Sequence, residues 1–131
     1  MSILLSYVPS ESGNAAAGAA IAEAKAHGAL LIVVNAVRGG ALVDQRVATE
    51  SALRSIVDRA REAGVQATVE QPESPDVVDA LLDLITQHEA RMVVIGTRHR
   101  SPVGKLVTGS TAQRILLDSP CPVLAVKAPA D

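Results

Sequence analysis

The sequence predicts an α/β fold, in which a five-stranded, mostly parallel sheet is covered by helices on both faces. Apolar runs alternate along the chain with segments of helical periodicity, in the order β-α-β-α-β-α-β-α-β. Glycine or proline stands at several boundaries between these segments. The length of 131 residues is typical of one domain, which we expect to span residues 1–131.

The strand predictions depend on short apolar runs. The run from Ala29 to Val37 is almost entirely apolar, which favours a strand covered on both faces. The run from Val65 to Gln71 alternates apolar with polar residues, as a less buried edge strand does. The five predicted strands are Ile3 to Val8, Ala29 to Val37, Val65 to Gln71, Arg91 to Ile95 and Val123 to Lys127.

The helix predictions depend on end signals. Gly28 and Gly64 follow the first two helical segments, as C-terminal glycines do. The sequence Ser74-Pro75-Asp76 predicts a helix start, because Ser can cap, Pro suits the first turn and Asp suits the positive end. The four predicted helices are Asn14 to His27, Gln45 to Ala63, Ser74 to about Glu89, and Ser110 to Asp118.

Two of these helices carry an apolar stripe at helical spacing, which predicts their core faces. In the second helix the stripe comprises Val47, Leu53, Ile56, Val57 and Ala60, and in the third it comprises Val78, Leu81, Leu82 and Ile85. On the other face of the third helix, Asp76, Asp79 and Asp83 are interpreted as a solvated surface.

Composition excludes several classes of function. Tyr7 is the sole aromatic residue, so the chain lacks the stacking platform that binds single-stranded nucleic acid. The net charge of −2 argues against a general DNA or RNA binder. The single cysteine, Cys121, cannot form an internal disulfide. No signal peptide or membrane-spanning run is apparent, so we expect a cytoplasmic protein without nucleic-acid or membrane partners.

The segment GTRHRSPVGKLVTGST, residues 96–111, has the parts of a phosphate site. It follows a predicted strand, has a glycine near each end and precedes a helix, whose N-terminus favours anions. Its basic residues are Arg98, His99, Arg100 and Lys105. The P-loop pattern fails, because His99 stands at the first glycine and Leu106 at the hydroxyl residue, and GxGxxG is absent. In a parallel sheet this loop and Val8 to Ser12 are the expected ligand-binding segments.

The segment resembles a motif of the universal stress protein family: Gly, two residues, Gly, nine residues, Gly, then Ser or Thr. Here Gly96 opens the pattern, His99 replaces its second glycine, and Gly109-Ser110 closes it. The opening ILLSYVPSES and the closing STAQRILLDSPCPVLAVK resemble the family's two ends, so the resemblance covers the whole chain. It implies a Rossmann-like sheet in the order 3-2-1-4-5, and a homodimer formed through the last strand, Val123 to Lys127.

The resemblance also implies a cleft for ATP, ADP or AMP between the first and fourth strands. Gly96, Gly109, Ser110 and Thr111 match positions around the phosphates, and Val37 matches a position beside the adenine. Val8 stands where the family has an acidic residue at the ribose, and Pro9 where it has glycine. The candidate binding residues are Val8, Pro9, Val37, Gly96, Thr97, Arg98, His99, Gly109, Ser110 and Thr111.

Three hypotheses for the function stay open. The first is a stress-response regulatory module that binds an adenine nucleotide. Because His99, Val8 and Pro9 depart from the pattern, the second is a nucleotide-free dimer that acts through protein contacts. The third is a nucleotide hydrolase or transferase with His99 as base. Since no nucleophile has a matched base and no metal-ligand cluster is visible, we expect no catalytic or metal site.

Overall fold

The structure is a computed structural model that describes residues 1–38, 47–97 and 109–128. Its elements are β1 (Ser2–Ser6), α1 (Glu11–His27), β2 (Leu30–Val34), α2 (Glu50–Glu62), β3 (Ala67–Glu70), α3 (Val77–Gln87), β4 (Met92–Thr97), α4 (Ser110–Asp118) and β5 (Val123–Lys127). The five strands are parallel and lie in the order β3-β2-β1-β4-β5. The predicted fold class and strand order are confirmed. Within the described ranges, no helix is long and apolar enough to cross a membrane.

Apolar side chains pack on both faces of the sheet. Alternate residues of β1 point to opposite sides, with Ile3 and Leu5 in one cluster and Leu4 in the other. Helices α1 and α2 contribute to the first cluster, and α3 and α4 contribute to the second. On the edge strand β3, Ala67 is buried and Thr68 is exposed, as the alternating pattern predicts, whereas Val69 is 39% exposed.

Helix α2 begins later than predicted. Thr49 caps it by accepting a hydrogen bond from Ala52 N at 3.0 Å, and the helix starts at Glu50. Val47 therefore lies outside the helix and is 42% exposed, so its assignment to the core stripe is wrong. The predicted start at Gln45 lies outside the described residues.

Helix α3 begins at Val77, because Asp76 rather than Ser74 is its cap. The Asp76 carboxylate accepts from Val78 N at 3.0 Å and from Asp79 N at 3.1 Å. Ser74 forms the preceding turn, where its Oγ donates to Asp76 O at 2.9 Å. The buried face includes Leu84, whereas the predicted Leu82 is only half-buried.

Three strands end before the predicted residues, and of these β3 ends one residue early, at Glu70. β1 ends at Ser6 and the chain soon reaches Pro9, which has no N–H for the sheet. β2 ends at Val34, so Val37 is not its last residue and instead forms an isolated bridge with Glu73. The predicted bounds of α4 and β5 match the structure.

Candidate functional site

A cleft of about 240 Å³ opens at the carboxyl edge of the sheet, between β1 and β4. The strand order reverses here, since the chain runs from β1 to β2 on one side and from β3 to β4 on the other. Open α/β sheets bind ligands at such a point. The described walls come from the ends of β1 and β4, the start of α1, and the N-terminal halves of α3 and α4. We take this cleft as the candidate functional site.

The loop after β1 forms one wall of the cleft. Ser10 caps α1, accepting a hydrogen bond from Gly13 N at 3.0 Å. Its hydroxyl donates to Val8 O at 3.2 Å, which closes the loop onto the helix. Val8 lines the cleft and is 38% exposed. The loop therefore presents an apolar side chain to the cleft.

Strand β4 and helix α1 approach closely at the cleft. A Cβ on Gly96 would lie 2.6 Å from the carbonyl carbon and oxygen of Ser12, and 3.0 Å from Gly13 N. A Cβ on Gly13 would overlap the carbonyl oxygen of Val8. Packing therefore requires glycine at both positions, whatever the cleft binds.

Gly109 differs from these two glycines. It is the N-cap of α4, with φ −66° and ψ 158°, a conformation that any residue adopts. A Cβ added here would meet no described atom within 4 Å. Gly109 and Thr111 both line the cleft. Among the described residues, packing does not explain the glycine at position 109.

Three helices begin at this cleft, and they are capped differently. Ser10 caps α1 and Asp76 caps α3, so both use side-chain oxygens to bind first-turn N–H groups. Within the described residues, helix α4 has no side-chain cap, because its N-cap is Gly109. Its first turn combines N–H donors that have no partner within the helix with the positive end of the helix dipole. This is the chemistry of an anion site.

The described walls of the cleft are uncharged. The other lining side chains are mainly apolar, and hydroxyl groups come from Ser6, Tyr7, Ser10, Ser12, Thr97 and Thr111. The basic residues of the β4–α4 connection, Arg98, His99, Arg100 and Lys105, lie outside the described residues. Within the described ranges, no group of three or more His, Cys, Asp or Glu residues is arranged to hold a metal ion.

Tyr7 forms a rigid part of the wall. Its side chain is 4% exposed, and its hydroxyl donates to Asn14 Oδ1 at 2.8 Å. Burial raises the pKa of Tyr7 above its usual 10.0, and the charge of Arg59 partly opposes this shift. The phenol is therefore uncharged at neutral pH.

Buried Asn35 holds the strand ends together, and it is absent from the sequence-based predictions. Its Nδ2 donates to Tyr7 O at 2.8 Å, and its Oδ1 accepts from Ala48 N at 2.9 Å. The same Oδ1 accepts from Gln71 Nε2 at 2.8 Å. One fully buried amide thus links the ends of β1 and β2 to the segments that follow β3 and precede α2. The available signal was a polar residue within an apolar run.

Helices α3 and α4 are joined by an ion pair beside the cleft. Arg114 Nη1 lies 3.0 Å from Asp76 Oδ1 and 3.0 Å from Asp76 Oδ2, and Arg114 Nη2 lies 3.3 Å from Asp79 Oδ1. Asp83 is exposed, as expected. The side chains of Asp76 and Asp79 are 39% and 64% exposed, which agrees with the interpretation of a solvated surface, and they also pair with Arg114.

A model described as the universal stress protein family matches residues 1–127. The chain belongs to this family. A curated universal stress protein of Mycolicibacterium smegmatis is 42% identical over 125 residues, covering 95% of this chain and 96% of the relative. A solved universal stress protein of Archaeoglobus fulgidus superposes with a TM-score of 0.81 at 26% identity, covering 96% of this chain and 97% of its own. A further universal stress protein, solved in complex with cAMP, superposes with a TM-score of 0.75 at 25% identity, covering 98% of each chain.

The structure brings half of the residues predicted from the resemblance to universal stress proteins into the cleft lining. These are Val8, Gly96, Thr97, Gly109 and Thr111. Pro9 and Ser110 border it in sequence but are not among the lining residues. Arg98 and His99 lie outside the described residues, so their roles stay predictions.

Val37 also lies outside the cleft lining of this universal stress protein, where Ala36 is present instead. The Val37 N–H donates to Pro72 O at 2.9 Å, and its carbonyl accepts from Ser74 N at 2.9 Å. Its backbone N–H is thus already bonded within the chain. The predicted place of Val37 beside an adenine is not tested by these contacts.

Proposed function

We propose that this universal stress protein is a non-catalytic binding module that holds an adenine nucleotide in the cleft between β1 and β4. The phosphate is placed in this proposal at the N-terminus of α4. The observation that carries it is the missing side-chain cap at Gly109, beside two helices that are capped by Ser10 and Asp76. An anion supplies the acceptor that the cap does not.

Two further observations support the proposal. Gly109 and Thr111 line the cleft, so an anion bound at this helix end lies inside it. A family member that is 25% identical over nearly the whole chain was solved in complex with cAMP. In this proposal the base and the ribose contact the apolar and hydroxyl-bearing walls of the cleft, which include Tyr7 and Val8.

Isothermal titration calorimetry and thermal unfolding with AMP, and with ATP and magnesium, test the proposal. A ligand that binds only the folded chain raises the melting temperature, by an amount that grows with its concentration. The matched variants are Gly109→Asp and Gly109→Ala. The new aspartate can cap α4, while the alanine adds the Cβ without a carboxylate.

We expect Gly109→Asp to stabilise the ligand-free protein by about 0.5–1 kcal/mol and to abolish nucleotide binding. Stability and binding then change in opposite directions, which unfolding of the variant cannot produce. Unchanged binding by Gly109→Asp would refute the placement of the phosphate. No binding heat and no thermal shift with wild-type protein would refute nucleotide binding.

A second candidate is a nucleotide-free family member that acts through protein contacts. It is favoured by Val8, which presents an apolar, 38% exposed side chain to the cleft where the family has an acidic residue. Mass spectrometry of gently purified, then denatured, protein separates the two candidates. An adenine nucleotide in that sample contradicts the second candidate.

We also propose a homodimer formed through the open edge of β5. Val93 N donates to Pro122 O, so the backbone groups of Leu124 and Val126 face β4 and those of Ala125 face the open edge. The preceding helix carries Leu117, which is 83% exposed. An unpaired apolar edge strand favours pairing with another chain.

We also propose a cytoplasmic location. The single cysteine, Cys121, is consistent with such a reducing compartment.

Light scattering tests the dimer. The wild type is expected at twice the mass of one chain. Ala125→Pro should give a folded monomer, because this proline removes an N–H that is not bonded to β4. A wild-type monomer at micromolar concentration contradicts the proposal, and a dimeric Ala125→Pro variant contradicts the assigned edge.

A further inference from the structure

Helix α4 is weakly anchored for an element that carries the proposed anion site. It has nine residues, and Ile115 is its single buried residue, at 1% exposure. Leu116 and Leu117 on its outer side are 45% and 83% exposed. The apolar contacts of α4 with the core are thus made by Ile115 and the half-buried Ala112, and a second contact, with α3, is needed to fix its orientation.

That second contact is the ion pair of Arg114, the residue next to Ile115. Its Nη1 lies 3.0 Å from both oxygens of Asp76, and its Nη2 lies 3.3 Å from Asp79 Oδ1, so the guanidinium bridges two carboxylates of α3. Asp76 is itself held in place, because its Oδ1 accepts from the backbone of Val78 and Asp79 at the start of α3. The pair joins residues that are 38 positions apart in the sequence.

The charges of this pair are stable at neutral pH. Hydrogen bonding from the backbone of Asp79, then from Arg114, lowers the pKa of Asp76 below its usual 3.8. Hydrogen bonding to Asp76 in turn raises the pKa of Arg114. The connection between α3 and α4 therefore persists over the physiological pH range.

The two helices joined by this pair form facing parts of the cleft. Val77 and Leu81 of α3, and Thr111 and Ala112 of α4, line it. A rotation of α4 about Ile115 would move its first-turn N–H groups relative to the rest of the cleft. We infer that Arg114 and Asp76 are positioning residues, which hold the N-terminus of α4 where it can receive the anionic group of a ligand.

Most exposed ion pairs contribute little to stability, and the pair of Arg54 and Glu50 on α2 is an example of that kind. The Arg114 pair differs in two ways. It links two helices rather than two turns of one helix, and its carboxylate is fixed by backbone donors. Its expected effect is thus on the position of α4 more than on global stability.

This inference rests on the proposed function for its binding test, which compares AMP with adenosine by calorimetry. The variants are Arg114→Gln and Asp76→Asn, and asparagine caps a helix about as well as aspartate. Asp79→Asn removes the weaker contact, and Arg54→Gln is the matched control far from the cleft. Adenosine lacks the phosphate, so the AMP-to-adenosine affinity ratio isolates the contribution of the anion site.

We expect the ratio to fall about two- to fivefold in Arg114→Gln and Asp76→Asn, less in Asp79→Asn and not at all in Arg54→Gln. Adenosine affinity should stay at the wild-type value. A general loss of folding would lower both affinities, so it cannot imitate this result. A wild-type ratio in both Arg114→Gln and Asp76→Asn would overturn the inference.

Hydrogen exchange in ligand-free protein decides the positioning role separately. Arg114→Gln should accelerate amide exchange in α4 about two- to fivefold, while α2 stays unchanged. Wild-type exchange rates in α4 would overturn the inference whatever the protein binds. A wild type that binds neither AMP nor adenosine would instead refute the proposed function, and accelerated exchange in α4 would still support the positioning role of Arg114 and Asp76.

Discussion

Replacing Gly96 with alanine should destabilise this protein even when no ligand is present. The added Cβ would lie 2.6 Å from the carbonyl carbon and oxygen of Ser12, and 3.0 Å from Gly13 N. Carbon atoms pack at about 3.5–4.0 Å, so α1 or β4 must shift by roughly 1 Å to admit it. All three obstructing atoms belong to the backbone, which cannot turn aside as a long side chain does.

The expected cost follows from this overpacking. Extra methyl groups in a well-packed site typically destabilise by about 1–3 kcal/mol. For a chain of this length, each kcal/mol shifts the melting temperature by roughly 4 °C. We therefore expect Gly96→Ala to melt about 4–12 °C below the wild type. Urea denaturation should show a lower midpoint with an unchanged slope.

Gly109→Ala is the control for this measurement. Its Cβ meets no described atom within 4 Å, and its φ of −66° suits alanine. The variant loses only a modest capping preference, so its stability should stay within about 1 kcal/mol of the wild type. A Gly96→Ala protein as stable as wild type, or a Gly109→Ala protein that is the less stable of the two, would refute the packing argument.

Two further predictions concern the neighbouring polar groups. Asn35→Leu should destabilise the protein by about 2–6 kcal/mol in urea denaturation, because it leaves the buried Tyr7 carbonyl and Ala48 N–H without their amide partner. The control Gln71→Ala removes an exposed partner of the same amide, so it should destabilise by less than about 1 kcal/mol. Similar losses in both variants would contradict the central role of Asn35. Asp76 has a pKa below 3.8 in the folded chain, so its contribution to stability is complete above pH 3.8 and is lost as the pH falls through the folded pKa. Acid titrations of unfolding should thus be flatter for Asp76→Asn than for wild type below pH 3.8, and identical titrations would show that Asp76 has no such role.

Local signals explain which parts of the fold could be predicted from the sequence. The bounds of α4 and β5 follow from Gly109 before the helix and the prolines beside Cys121 after it. The start of α2 was missed because Val47 continues the apolar stripe, while Thr49, as the N-cap, makes the helix begin at Glu50. Competition between a periodic pattern and a cap cannot be resolved from the pattern alone.

The candidate site was predicted in part for a similar reason. Motif spacing identified Gly96 and Gly109, but it could not reveal that one is required by packing and the other is not. That difference depends on where α1 lies against β4. The links made by Asn35 and Arg114 join distant parts of the chain, and no local pattern contains them.

The central claim is that the uncapped start of α4 binds the phosphate of an adenine nucleotide. Calorimetric titration of AMP into the wild type and into Gly109→Asp tests it most directly. The account predicts saturable binding to the wild type, and none to a Gly109→Asp protein that is at least as stable. No binding to the wild type, or equal binding to both proteins, would contradict it.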